Sequence, residues 1–280
     1  MRAELAIMLA LLLGACGSTP KQVDPPRLRA ALEAESDGAK RYERGDYVVA
    51  ARRFAEAAKL HASIDDATGV ARNRLHLARS DLVQGRDEAA LALLDATDAA
   101  GDAGFALDIR MLKAQALLGL GRTDEVRNSL AEAAALCAGA CPRAASLHLL
   151  QARHALADKR IADALAHADA ALKLLQGKDE AAETGNAWRL VAAARHASGD
   201  LAGGLVAAHA ALDIDRRLAL PEKIARDWLL IGDIQRDQAA TEAATAYRKA
   251  LAVAQAAGLD AITMIAAQAL QDIGMQKKVD

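Results

Sequence analysis

Apolar residues recur at helical spacing along the chain after residue 27, and short polar or glycine-containing breaks interrupt them at regular intervals. No stretch alternates between apolar and polar residues with a period of two, so the pattern predicts helices and no strands. The breaks group the helices into six consecutive pairs, followed by one unpaired helix and a polar tail at 276–280. The predicted helices span 27–44, 47–64, 67–84, 87–100, 103–120, 123–137, 142–157, 160–176, 180–198, 201–218, 221–237, 239–257 and 261–274.

A repeat underlies these pairs. A small residue stands in the first helix of each pair, and the steps between copies are 40, 36, 38, 40 and 40 residues. A fixed period in this range is typical of stacked helical hairpins, which form a surface rather than a catalytic pocket. The leading small residues are Gly38, Ala78, Ala114, Ala152, Ala192 and Gly232; four copies have a turn glycine seven places later, at Gly45, Gly85, Gly121 and Gly199; the next small or slim positions are Ala50, Ala90, Val126, Ala164, Gly204 and Ala243.

These copies resemble the tetratricopeptide repeat family over about residues 30–259. The copies depart from the family in three ways: they are longer than its period of about 34 residues, they lack its closing proline, and the fourth has Lys159 where a turn glycine is expected. The resemblance implies an all-α, right-handed solenoid of six tetratricopeptide-like hairpins with a C-terminal capping helix in residues 260–280. It rests most clearly on Gly45, Asp46, Tyr47, Ala50, Phe54 and Ala57 in the first copy and on Trp228, Ile231, Gly232, Ala243, Tyr247 and Ala250 in the last.

The pattern of small and large residues has a physical interpretation. Small residues let neighbouring helices touch, and the large residue four places after the second small one, such as Phe54 or Tyr247, fills the gap between hairpins. A stack of hairpins also needs a terminal helix with one polar face. The last predicted helix suits that role, or alternatively binds a partner. Its residues at helical spacing are Ile262, Ile265, Ala266, Ala269 and Ile273.

The resemblance also implies a binding surface, because the first helix of each pair lines the concave face in this family. In the middle copies this position combines apolar residues with Arg79, Gln115 and Arg153, which suggests a groove for an extended or helical segment with apolar and acidic groups. The alternative is that tight curvature buries the leucines between neighbouring helices. The candidate groove residues are Tyr42, Leu75, Arg79, Leu82, Met111, Gln115, Leu118, Leu149, Arg153, Leu156, Arg189, His196 and Arg236.

Composition excludes several functions. Apolar residues make up 53% of the chain but aromatic residues only 2%, so the apolar content is largely alanine and leucine, whose slim helices pack closely. The net charge of −2 provides no field that would attract nucleic acid. No phosphate-binding loop, His-Glu-x-x-His or Gly-x-Ser-x-Gly motif occurs, and the seven histidines are scattered. We therefore expect no enzyme activity, cofactor, metal or small-molecule substrate.

The N-terminus has the pattern of a targeting signal. An apolar run at 5–13 follows Arg2 and is too short to span a bilayer. The sequence Leu13-Gly14-Ala15-Cys16 then resembles the lipobox of bacterial lipoproteins, which implies a signal peptide at 1–15, a lipidated Cys16 and a flexible tether at 16–29. Gly17, where an aspartate would indicate inner-membrane retention, favours the periplasmic side of the outer membrane. An ordinary cleavable signal or a buried N-terminal helix remains the alternative.

Two further cysteines, Cys137 and Cys141, lie in one short loop. An even pair in an oxidising compartment predicts a disulfide that closes the loop at a hairpin junction. Metal binding by these cysteines with His148 and His154 is the rival interpretation, although the spacing fits no established ligand pattern.

Together these features predict a lipid-anchored, periplasm-facing scaffold that binds a protein or peptide segment of the cell envelope. The alternative is a structural accessory subunit that oligomerises through its convex face or its capping helix. Light scattering on the form without the tether distinguishes the two, because a monomer favours the scaffold and a concentration-independent dimer favours the accessory subunit. An enzyme ranks third, and a hidden pocket with clustered ionisable side chains would favour it.

Overall fold

The computed structural model describes residues 24–99, 101–236 and 238–279, with side chains as far as residue 274. The predicted signal peptide, Cys16 and most of the predicted tether lie outside the described residues. The described part of the chain contains thirteen α-helices and no strand. They are α1 (Pro26–Glu43), α2 (Tyr47–Ala62), α3 (Ala67–Val83), α4 (Asp87–Asp95), α5 (Ala103–Gly119), α6 (Thr123–Leu136), α7 (Ala144–Ala157), α8 (Ile161–Leu175), α9 (Ala181–Ala197), α10 (Leu201–Arg217), α11 (Pro221–Gln235), α12 (Ala240–Ala256) and α13 (Asp260–Val279).

Every predicted helix is present, and only two ends differ from the prediction by more than two residues. Helix α4 ends at Asp95 rather than at residue 100. Just beyond this end, the Thr97 hydroxyl donates to the Leu93 carbonyl at 2.7 Å and competes with the backbone hydrogen bonds that would continue the helix. Helix α13 runs to Val279, so the predicted polar tail is helical. The helix continues past Gly274 because no proline or tight turn follows this residue, and a single glycine within a helix costs only about 1 kcal/mol.

The turns within the hairpins require a left-handed backbone conformation, which glycine adopts most easily. Gly45, Gly85, Gly121 and Gly199 all have φ between 69° and 84°. In the fourth hairpin Lys159 takes the same position with φ 58°, at a cost of about 1–2 kcal/mol for a residue with a side chain. The missing glycine therefore does not abolish the turn.

The chain divides into two compact units between Asn73 and Arg74, within α3. Unit 1 contains α1, α2 and the beginning of α3. Its core includes Phe54, which is 2% exposed and packs so closely on Gly38 that a Cβ there would lie 2.8 Å from the ring. Glu35 accepts hydrogen bonds from Arg72 at 2.7 Å and from Asn73 at 2.8 Å. A small-to-large contact and a polar cluster thus help to hold the helices of unit 1 together.

Unit 2 repeats the same packing in successive hairpins. In the last pair a Cβ at Gly232 would lie 2.5 Å from the ring of Tyr247, which is fully buried. The equivalent positions in the second and third pairs hold Leu94 and Leu130, exposed by 0% and 4%. The small and large positions of the repeat therefore meet in space as the sequence predicts.

The first helices of unit 2 lie closer together than the second helices. Helix α5 contacts α7, α7 contacts α9, and α9 contacts α11, whereas no comparable contact joins the described second helices α6, α8, α10 and α12 to one another. Unit 2 therefore curves toward its first helices. We call the surface formed by α5, α7, α9, α11 and the part of α3 after Asn73 the inner face.

Helix α13 covers the end of unit 2. Ile262, Ala266, Ala269 and Ile273 are at most 6% exposed and pack in clusters with residues of α11 and α12. Ile265, predicted to face inward, is 53% exposed, because it lies one residue before Ala266 and so about 100° away around the helix. Among the described helices, none is both long and apolar enough to cross a membrane.

Candidate functional site

The apolar residues of the predicted groove are part of the core. Leu75, Leu82, Met111 and Leu149 are between 3% and 8% exposed and belong to the packed clusters of unit 2. The close approach of neighbouring first helices buries them, which is the alternative that the sequence left open. Their prediction as exposed groove contacts is therefore wrong. The two remaining leucines, Leu118 and Leu156, are half-buried and pack against the same cores.

Arg79 lies on the inner face and is engaged by a neighbouring helix. Its guanidinium contacts the Asp108 carboxylate of α5 at 3.1 Å. Asp108 also accepts two hydrogen bonds from Arg143, at the start of α7, at 3.0 and 3.2 Å. One carboxylate thus links three consecutive first helices, and Arg79 stabilises the face rather than standing free on it.

Arg153, in the middle of α7, differs from Arg79. Its side chain is exposed, and it makes no hydrogen bond or ion pair with any described residue. Desolvation by the surrounding protein lowers the pKa of Arg153, and the like charge of Arg226 on α11 lowers it further, while Asp87 opposes both effects. The desolvation shows that protein atoms lie close around this exposed guanidinium. Arg153 and Arg226 therefore lie near one another on the inner face, and Arg226 pairs with Glu222 at 2.9 Å.

The other candidates lie in different environments. Gln115 on α5 and His196 on α9 are half-buried. Arg236 donates to the Tyr247 hydroxyl at 2.9 and 3.1 Å and contacts Asp233 at 3.1 Å, so it supports the packing of that ring; burial raises the pKa of Tyr247 to about 12. Tyr42 belongs to unit 1, where its ring packs edge-on against Tyr47.

Arg189 is the centre of a buried ionic cluster that the sequence analysis missed. Its Nε donates to Asp227 at 2.6 Å, one Nη donates to Asp215, and the other donates to Asn186 at 3.0 Å. Both carboxylates are fully buried. The sequence did contain a sign of this cluster, because both aspartates lie on the apolar, core-facing side of their helices. The cluster joins α9, α10 and α11 and leaves Arg189 unavailable to a groove ligand.

Burial of the cluster changes the pKa of one of its carboxyl groups. Burial raises the pKa of Asp227 from 3.8 to about 7; the Arg189 guanidinium opposes this rise, and the neighbouring Asp215 adds to it. Burial also lowers the pKa of Lys223 nearby. One of the two carboxyl groups therefore gains or loses its proton close to neutral pH.

Replacing Asp227 by asparagine should remove a pH dependence of stability. The folded chain binds more protons than the unfolded chain between about pH 4 and 7, so the free energy of unfolding falls as pH rises through this range. Urea unfolding between about pH 5 and 8 should show the Asp227→Asn variant gaining stability relative to the native chain as pH rises, by at most about 1.4 kcal/mol per pH unit. The exposed Asp213→Asn change is the control. Parallel profiles for the native chain and Asp227→Asn would contradict this assignment.

Cys137 and Cys141 form a disulfide, with Cα atoms 5.2 Å apart, that closes the loop between α6 and α7. This leaves no thiolate for the metal site considered above. His148 instead meets His167, with their Nδ1 atoms 3.1 Å apart. No group of three or more metal-ligating side chains occurs among the described residues.

Comparisons with known proteins bear on the fold. No family model matches the sequence, and no curated protein sequence matches it. The structure is similar to the apo form of RapI, with a TM-score of 0.61 and 13% identity over 89% of this chain and 72% of that one. The fold is a helical-repeat array.

Two other solved structures match at lower TM-scores. A tetratricopeptide repeat protein from Parabacteroides merdae matches with a TM-score of 0.49 and 14% identity over 85% of this chain and 99% of that one. The TPR2AB domain of yeast Sti1 in complex with pHSP90 matches with a TM-score of 0.40 and 13% identity over 87% of this chain and 98% of that one. The similarity to RapI, at a sequence identity this low, concerns the fold and not the function.

Proposed function

We propose that this protein is a membrane-anchored interaction scaffold that binds an acidic polypeptide segment on the inner face of unit 2. The observation that carries the proposal is Arg153, a central arginine on that face without an ionic partner among the described residues. Arg79, Arg189 and Arg236 are all held by carboxylates of the protein itself. Arg153 is thus the arginine of the predicted groove that is available to a partner.

The charge around Arg153 favours an acidic partner. Arg226 lies close enough for its like charge to lower the pKa of Arg153, but Arg226 itself pairs with Glu222 at 2.9 Å, so a carboxylate of the partner would act on Arg153. A carboxylate can also accept two parallel hydrogen bonds from one guanidinium, which fixes its orientation. Because the leucines beneath are buried, we infer that recognition relies on charge and hydrogen bonds more than on apolar side chains.

The location is part of the proposal and rests on the sequence. The Leu13–Cys16 motif supports lipidation at Cys16, and residues 17–23 add length between the anchor and the helices. A scaffold fixed to a membrane surface raises the effective concentration of its partner there. Envelope assembly is the process that suits such an arrangement.

Site-specific photo-crosslinking in the native envelope tests the scaffold. A photoreactive residue in place of Gln115, on the same face as Arg153, should give a covalent adduct with a partner protein. The Arg153→Ala, Arg226→Ala double variant should lose most of this adduct, because it removes both charges without touching the core.

The matched control is Arg217→Ala with Arg248→Ala, which removes two exposed arginines from the second helices α10 and α12 and should leave the adduct unchanged. A Cys16→Ala variant should move the protein out of the membrane fraction. Adduct formation that survives loss of Arg153 and Arg226 would show that the inner face is not the binding surface. Retention of Cys16→Ala in the membrane fraction would disprove the lipid anchor.

A further inference from the structure

Three histidines lie in the fourth hairpin, which consists of α7 and α8. His148 and His154 belong to α7, and His167 belongs to α8. His154 and His167 also line a cavity of about 600 Å³ between α6 and α8. The fourth hairpin is therefore incompletely packed against α6 on the side that carries these two rings.

His154 lies in an environment that favours its neutral form. It is 3% exposed, and neither ring nitrogen makes a hydrogen bond with a described residue. Its Nε2 lies 3.4 Å from Asp158, which also faces Arg127 at 3.8 Å and Arg160 at 3.5 Å. Burial lowers the pKa of His154 and the two arginines lower it further, whereas Asp158 raises it. A proton on this ring therefore adds a charge where the protein disfavours one.

The two arginines near His154 also pair with other carboxylates. Arg127 contacts Asp124 at 3.2 Å, and Arg160 contacts Asp163 at 2.6 Å. These pairs weaken the repulsion between the arginines and a protonated His154. Desolvation of the ring is accordingly the largest cause of its lowered pKa, and it acts whatever the arginines contact.

His148 and His167 form a second contact that protons would disrupt. Their Nδ1 atoms are 3.1 Å apart and their ring centres 5.3 Å apart, so the two nitrogens point toward one another. One nitrogen must then donate and the other accept. Once both rings are protonated, both nitrogens are donors and the hydrogen bond is lost. Burial lowers the pKa of His167, His148 and Arg160 lower it further, and Asp163 opposes them.

We propose that the fourth hairpin is an acid-sensitive joint of unit 2, held closed by neutral His154 and by the His148–His167 hydrogen bond and loosened when these rings gain protons. An unfolded histidine has a pKa of about 6.5, and the folded hairpin binds its protons only at lower pH. The unfolded hairpin thus binds more protons below about pH 6.5. The stability of the hairpin is complete above this pH and is lost as pH falls below it.

The joint has a consequence for the inner face. Arg153 is adjacent to His154 on α7, so loosening of this helix in acid would displace Arg153 and release a partner held there. This consequence rests on the proposed function, whereas the acid sensitivity of the hairpin does not. A test of the hairpin itself therefore distinguishes failure of the joint from failure of the scaffold.

Hydrogen exchange followed by mass spectrometry, on the full-length protein at pH 7 and pH 5, tests the proposal. Protection factors, which correct for the effect of pH on intrinsic exchange, should fall in α7 and α8 at pH 5. One histidine can lower protection by at most about 25-fold over this range, because its unfolded pKa is about 6.5. Protection around Asp227 in α11 should rise instead, since the raised pKa of that carboxyl acts in the opposite direction. Unchanged or greater protection of α7 and α8 at pH 5 would overturn the proposal.

Two variants assign the effect to the histidines. Leucine in His154→Leu has a similar volume and cannot gain a charge, and glutamine in His167→Gln can still hydrogen-bond to His148 without titrating. Each variant should lose at least about threefold less protection in α7 and α8 between pH 7 and pH 5 than the native chain. His209→Gln, at an exposed position on α10, is the control and should show the native loss. A native loss in both His154→Leu and His167→Gln would show that these rings do not control the hairpin.

Discussion

Replacing Arg189 by methionine should lower the free energy of unfolding of unit 2 by about 3–5 kcal/mol. Arg189 is the cation that contacts both Asp215 and Asp227, which are fully buried, and its removal leaves their carboxyl groups without a hydrogen-bonded cation in the interior. Methionine keeps much of the length of the side chain, so the loss reports charge rather than volume. Urea unfolding at neutral pH, followed by circular dichroism, measures the effect.

Two further variants make the result specific. Arg248→Met, on the exposed surface of α12, should change stability by less than about 0.5 kcal/mol. Adding Asp215→Leu and Asp227→Leu to Arg189→Met should recover most of the loss, since a buried ionic cluster is often replaceable by apolar side chains. If Arg189→Met unfolds like the native chain, the three side chains do not form the cluster.

Gly232→Ala should lower the free energy of unfolding by about 1–3 kcal/mol, the usual cost of overpacking. A Cβ at this position would lie 2.5 Å from the Tyr247 ring. The ring cannot easily move, because its hydroxyl donates to Asp233 at 2.6 Å and accepts from Arg236. The substitution is unfavourable even though alanine is the better helix former.

Gly274→Ala is the matched control for this prediction. Gly274 is also helical, and a Cβ there would have no atom within 4 Å among the described residues. Helix propensity alone then acts, and stability should rise by up to about 1 kcal/mol. Thermal unfolding of both variants should therefore show shifts of opposite sign. A stabilising Gly232→Ala would mean that the small position is not a packing requirement.

The candidate site was only partly predictable. Choosing Arg79, Arg153 and Arg189 by their repeat position identified residues on the first helices, but it treated all three as equivalent. In the structure Arg79 is held by Asp108, Arg189 is enclosed by Asp215 and Asp227, and only Arg153 is available. Which carboxylate reaches which arginine depends on neighbouring hairpins, and no local pattern contains that information.

The sequence by itself determined the hairpins, their turns and the pairing of small with large residues. Each depends on short-range rules: helical periodicity, a left-handed turn position, and packing between helices adjacent in sequence, as between Gly232 and Tyr247. The tertiary structure alone decided which side chains remain open. The curvature of unit 2 buries Leu75 and Met111 and joins Arg189 to Asp215 and Asp227 from later helices. Curvature is the sum of small rotations between successive hairpins, so it appears only when the hairpins pack together.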